Sequence, residues 1–156
     1  MKWLIKRFLF PLCAFLVVNS SGLSQIDVNH VISIGRNALY FNDYVVSIGY
    51  FNQVIATRPW LAEPYLYRAI AKVSLDDYVG AEVDAGKSIE LNPYISRTYL
   101  VRGIALQNTN RFEEAIKAYE QGLTFAPDNG QMRFNKAVAE LRTKRFKEAN
   151  RSIDTL

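Results

Sequence analysis

The side chains with chemistry to offer are few, and their spacing does not favour it. His30 is the only histidine and Cys13 the only cysteine. A single imidazole with no nucleophile or second ligand nearby reads as a surface or capping residue. So few Cys and His exclude a disulfide framework and any zinc site built from several of them. Two adjacent carboxylate pairs, Asp76-Asp77 and Glu113-Glu114, suggest acid–base dyads. Neighbours in a helix point to different faces, however, and acidic residues at a helix start complement its dipole. They are read as helix starts. Gly35, Gly80, Gly86, Gly103 and Gly122 are scattered, not clustered as a phosphate-cradling loop requires. No cofactor, no metal and no enzymatic activity are expected.

Composition points the same way. Of 156 residues, 49% are hydrophobic and 22% charged, a balance that builds a core. The formal net charge of +4 hints at nucleic acid. Three of the 19 basic residues, Lys2, Lys6 and Arg7, belong to the N-terminal leader described next, which leaves 16 basic against 15 acidic residues. Nucleic acid is therefore not an expected partner. From Gly130 onward seven basic residues face Glu140, Glu148 and Asp154, and this surplus is read as the solvated outer face of the last helices.

The first residues combine a basic start, an apolar stretch from Phe8 to Val18 and a small polar run, Asn19 to Gln25. These are the three parts of a secretory signal peptide, with cleavage expected after Ser24 and Gly22 the next choice. The stretch is short of the roughly 20 residues that span a bilayer, and Pro11 weakens it as a rigid helix. Cys13 lies inside it behind Phe10-Pro11-Leu12, which argues against lipidation. The protein is expected to be exported, periplasmic or envelope-associated, touching membrane only through the leader; the alternative is an uncleaved anchor in the inner membrane.

Internal periodicity organises the remainder. Pro59, Pro93 and Pro127 are 34 residues apart, and so are Tyr44, Tyr78, Phe112 and Phe146. Ser47, Ala81, Ala115 and Ala149 keep that spacing, as do Gly35, Ala69, Gly103 and Ala137. Apolar residues recur at three- and four-residue steps within each unit, the signature of helices. The two small columns allow the helices of one unit to cross closely. Asn42, Asp76 and Asn110 fall in the turn between them, able to cap the next helix or to take a left-handed conformation.

These motifs resemble the tetratricopeptide repeat family, with Ser47-x3-Phe51, Ala81-x3-Ala85, Ala115-x3-Tyr119 and Ala149-x3-Ile153 as the second half of its pattern. The first half appears as Tyr65-x2-Arg68-Ala69 and Tyr99-x2-Arg102-Gly103, with Arg in the place of the usual Leu. The resemblance implies an all-α fold, an α-solenoid of antiparallel helix pairs with about 3.8 repeats, in a bacterial exported member. The units are the leader 1–24, a short extension 25–27, and repeats 28–61, 62–95, 96–129 and 130–156, the last truncated. Such arrays normally need a terminal cap. Phe146, Ala149 and Ile153 are left with no next unit, so the chain is expected to be part of a longer repeat protein or to associate through this end.

The resemblance also places a groove on the concave side. Its positions carry Arg36 and Tyr40; then Glu63, Leu66, Tyr67, Ile70 and Ser74; then Arg97, Leu100, Val101, Ile104 and Asn108; and finally Gln131, Phe134, Asn135 and Arg142. The family's carboxylate clamp is not reproduced, because its places hold Ile32, Arg36, Tyr67, Arg97 and Val101. Leu66, Ile70, Leu100 and Ile104 are read as core. Arg36, Tyr67, Arg97, Asn108, Phe134 and Asn135 are the candidates for ligand contact, and the occupant is a protein or peptide with large side chains. The function expected is a non-enzymatic protein-interaction scaffold. The alternative is a structural spacer or assembly module of a longer envelope protein whose activity lies beyond Leu156.

Overall fold

Four turns in this chain are built alike, and they dictate the architecture. At Asn42, Asp76, Asn110 and Lys144 the backbone turns left-handed, with φ between 60° and 64°. The next residue's N–H then reaches back to the helix just ended: Asp43 to Ala38 O at 2.8 Å, Asp77 to Lys72 O at 2.9 Å, Arg111 to Leu106 O at 2.9 Å and Arg145 to Glu140 O at 2.8 Å. Carbonyls at the helix end are thereby satisfied, and the chain reverses within three residues.

The computed structural model describes residues 27–154, which form eight α-helices and, among the described residues, no strand. They are α1 (Val28–Tyr40), α2 (Tyr44–Thr57), α3 (Ala62–Ser74), α4 (Tyr78–Leu91), α5 (Ser96–Asn108), α6 (Phe112–Phe125), α7 (Gly130–Arg142) and α8 (Phe146–Asp154). The leader, its cleavage site and Cys13 lie outside the described residues. No described helix is long and apolar enough to cross a membrane. Left-handed turns join the helices of each pair. Between pairs, a residue ahead of proline leaves the helical region, with φ −138° at Arg58 and φ −149° at Asn92, and the helix cannot continue. Side chains fix several starts: Asp27 accepts from the N–H groups of Asn29 and His30, Asp77 from Gly80 and Asn129 from Met132.

Each helix touches only its neighbours in the stack, so the core is a row of clusters instead of one centre. Leu66, Ala69, Ala81 and Ala85 meet Val101 and Ala105 of the following pair. Leu100, Leu106, Ala118 and Tyr119 meet Met132 of the next. The two small columns lie where helices of a pair cross; Ser47 Oγ donates to the Gly35 carbonyl at 3.0 Å across the first crossing. The fold is thus the all-α solenoid of helix pairs.

Two details depart from the sequence reading. Ala149 is fully buried, because its column belongs to the crossing inside a pair, while Phe146 and Ile153 are exposed. The basic surplus after Gly130 is not simply a solvated face. Lys136 is largely covered and pairs with Glu140 at 2.7 Å, and Arg145 pairs with Glu113.

Candidate partner-binding groove

The first helices α1, α3 and α5 lie side by side, and their groove-facing positions follow from the register. Arg36 on α1 lies over the ring of Tyr67 on α3, its guanidinium carbon 5.3 Å from the ring centroid. Tyr67 in turn stacks on Phe51 of α2, with centroids 5.5 Å apart and planes inclined by 22°. Phe51 is fully buried, so the stack runs from the core to the surface and holds the guanidinium at its outer end. A cation on an aromatic face contributes about 0.5–1 kcal/mol when exposed, and the stacked rings about 0.5–1.5 kcal/mol. That is enough to orient a side chain that would otherwise sample many rotamers.

Arg36, Tyr67 and Arg97 line one cavity of about 610 Å³ together with Tyr40, Tyr44 and Ser74. No carboxylate lines it, and neither arginine has an ion-pair partner among the described residues. The cavity therefore presents two guanidiniums and three phenols to whatever enters. Ser33, Asn37 and Leu39 complete the α1 wall, and Ile70, expected as core, lines the cavity as well; the sequence reading passed over the three on α1, although Ser33 occupies the same repeat column as Tyr67.

The other candidates lie elsewhere. Asn108 spends its amide on its own helix, donating to the Ile104 carbonyl at 2.9 Å. Phe134 is 56% exposed on α7 and Asn135 beside it is half-buried, and neither lines the cavity. Leu66, Leu100 and Val101 are buried between pairs, where they close the stack instead of lining the groove. His30 is exposed in the first turn of α1. Both carboxylate pairs mark helix starts, and the glutamates also make ion pairs: Glu114 accepts twice from Arg111 at 2.6 Å, and Arg111 reaches Glu82 of the preceding pair. Those donors hold Glu114 below the usual carboxylate range. Among the described residues no group of three or more His, Cys, Asp or Glu could hold a metal ion.

A buried charged cluster went unforeseen. Asp84 on α4 is 3% exposed and accepts from Arg68 Nε at 2.7 Å and from its Nη2 at 2.5 Å, while Lys72 Nζ lies 2.8 Å away. Arg68 at the place of the usual Leu was the available signal, since a buried guanidinium requires an acceptor.

Residues 100–150 match the tetratricopeptide repeat family. A curated relative, the SGT1 homolog of Oryza sativa subsp. japonica, is 33% identical over 108 residues, covering 69% of this chain; the chain spans 29% of that relative's length. The crystal structure of MamA superposes with a TM-score of 0.78 at 18% identity, over 83% of this chain and 75% of that one. The first repeat domain of Spaghetti (RPAP3), bound to the HSP90 peptide SRMEEVD, gives 0.73 at 22% identity over 75% and 93%. The second repeat domain of human RPAP3, in complex with the HSP70 peptide SGPTIEEVD, gives 0.68 at 22% over 72% and 98%. At these identities the structural likeness is one of fold. Residues 100–150 are thus a tetratricopeptide repeat segment, and the recurring left-handed turn and the stacked helix pairs carry the same fold along the described residues.

Proposed function

We propose that the array is a protein-interaction scaffold that seats a segment of a partner protein in its concave groove. The observation that carries the reading is the cavity in which Arg36, held on the Tyr67–Phe51 stack, and Arg97 converge without a carboxylate. A segment that places an aromatic or large apolar side chain beside an acidic group fits those walls. The superposed RPAP3 arrays, each with a peptide, support a segment over a folded surface as occupant. Photocrosslinking in native cells tests it. A crosslinker at position 40 is expected to trap a discrete partner that one at position 113 does not, and Tyr67→Ala is expected to abolish the product with helicity unchanged. Equal products from both positions overturn the reading.

The protein works, in this reading, outside the cytoplasm, on the strength of Lys2, Lys6 and Arg7 ahead of the apolar stretch Phe8 to Val18. Cell fractionation with N-terminal sequencing is expected to find a chain beginning at Gln25 in the envelope fraction; an intact Met1 in the cytosol overturns it. The second reading, an assembly module, draws on Phe134 and Ile153. Both are exposed, at 56% and 46%, in columns whose earlier copies Leu66, Leu100, Phe51, Ala85 and Tyr119 are buried. Unchanged function after Tyr67→Ala, with loss after Phe134→Ser, would favour it.

A further inference from the structure

The basic column at 68, 102 and 136 has two repeat positions from which a side chain can answer it. One is on the second helix of its own pair (84, 118, 152) and the other on the second helix of the preceding pair (52, 86, 120). In the second pair both supply acceptors: Arg68 donates twice to Asp84, and its Nη1 donates to Asn52 Oδ1 at 2.7 Å. In the fourth, Lys136 lies 3.4 Å from Ser152 Oγ, 3.5 Å from Glu120 and 2.7 Å from Glu140.

In the third pair the same positions hold Ala118 and Gly86, and neither side chain can accept. Arg102 Nε is buried and has no hydrogen-bond partner among the described residues. Glu114 feels the Arg102 charge, but both of its oxygens already accept from Arg111. A Cβ at Gly86 would meet nothing within 4 Å, so α4 is open at the repeat position from which Asn52 answers Arg68. One turn back along α4 stand Val83 and then Val79, each 68% exposed. A sheltered cation with an unsatisfied donor, flanked by an apolar ridge, favours an external carboxylate over water.

We propose that Arg102 is a second docking point, on the convex side, that takes the carboxylate of a Glu or Asp in a partner protein, with the apolar neighbours of that residue lying on Val79 and Val83. The partner's acid does for Arg102 what Asp84 does for Arg68. The site is independent of the concave groove.

The test follows the side-chain Nε–Hε resonance of Arg102 in the full chain, assigned by its loss in Arg102→Lys. The probes are the blocked peptide acetyl-Leu-Glu-Leu-amide and its Gln counterpart. The Glu peptide is expected to move the resonance saturably, and the Gln peptide to bind at least about tenfold more weakly. Ala118→Asp is expected to move the resonance without peptide and to abolish the response. Gly86→Asn, at an open helical position, weakens the response should Ala118→Asp fail to fold. Tyr67→Ala leaves it unchanged. A resonance unmoved by the Glu peptide, or a parental response in the folded variants at 118 and 86, overturns the proposal.

Discussion

A Cβ on Gly103 would stand 2.2 Å from Cε1 of Tyr119, so the helix crossing in the third pair leaves no room for a methyl group. The pairing of sizes repeats down the stack. Gly35 faces Phe51, its would-be Cβ 3.0 Å from the ring, while the matching columns pair Ala69 with Ala85 and Ala137 with Ile153. Glycine inside a helix costs about 1 kcal/mol against alanine, yet overpacking a closed crossing costs about 1–3 kcal/mol. Gly103→Ala is therefore expected to destabilise by up to about 2 kcal/mol net. At Gly49 nothing lies within 4 Å, and the same change is expected to stabilise by about 0.5–1 kcal/mol. Urea midpoints at constant m check the opposite signs, and Tyr119→Ala should make Gly103→Ala harmless.

The left-handed turns lead to a prediction at Lys144. Its φ of 63° matches those of Asn42, Asp76 and Asn110, but lysine lacks the short polar side chain that eases this conformation. Lys144→Gly or Lys144→Asn is expected to raise stability by about 0.5–1 kcal/mol, read as an increase in thermal midpoint. Asn110→Ala is expected to lower it by a similar amount. If Lys144→Gly lowers the midpoint, the turn is not held as described.

What the sequence made legible was what every repeat must repeat. Residues such as Pro93, Ala81 and Gly103 answer constraints of backbone geometry and close approach that recur in each pair, so they stand out as columns. The turn at Lys144 could be placed only by counting 34 residues from Asn110, since nothing in a lysine announces φ > 0. At the candidate groove, Arg36, Tyr67 and Arg97 share a cavity, whereas Asn108, Phe134 and Asn135 do not line it. Column position says which face a residue occupies; which neighbours close a cavity depends on side chains such as Tyr40 and Tyr44, and on Asn108 turning back to its own helix. The Arg68–Asp84–Lys72 cluster left only half a trace: its basic member recurs at Arg102 and Lys136, but its acid does not, since positions 118 and 152 hold Ala and Ser.

That cluster should behave as a buried ion pair does when one partner is removed. Asp84 answers two cations whose side chains retain 18% and 21% exposure. Asp84→Ala leaves Arg68 and Lys72 facing each other without an anion. Fully buried cases cost about 3–5 kcal/mol; partial access of the cations to water reduces the expected loss to about 2 kcal/mol. Replacing all three residues, Arg68→Leu, Lys72→Leu and Asp84→Ala, as Leu106 and Ala118 already do in part in the third pair, should cost less than Asp84→Ala alone. Chemical denaturation of both variants checks the order, and a triple variant weaker than the single one refutes it.

The buried phenol of Tyr119 is expected to steepen the loss of stability at alkaline pH. Burial raises its pKa above the ordinary tyrosine value, and its hydroxyl donates to Gln107 Oε1 at 3.2 Å. A group whose folded pKa lies above its unfolded one stabilises fully below the unfolded value, about 10 for tyrosine. As pH rises further, the unfolded chain releases the proton first, and the stabilisation drains away until the folded state also ionises. Each such group steepens the loss by up to about 1.4 kcal/mol per pH unit in that window. Tyr99 and Tyr78, also raised, by burial and by the hydrogen bond to Asp76 respectively, act in the same direction. Tyr119→Phe is expected to cost about 1 kcal/mol at pH 8, from the lost hydrogen bond, and to recover ground against the parent between pH 10 and 11. Urea unfolding at those three pH values measures it. Parallel curves for parent and variant would show that the buried hydroxyl does not govern the loss.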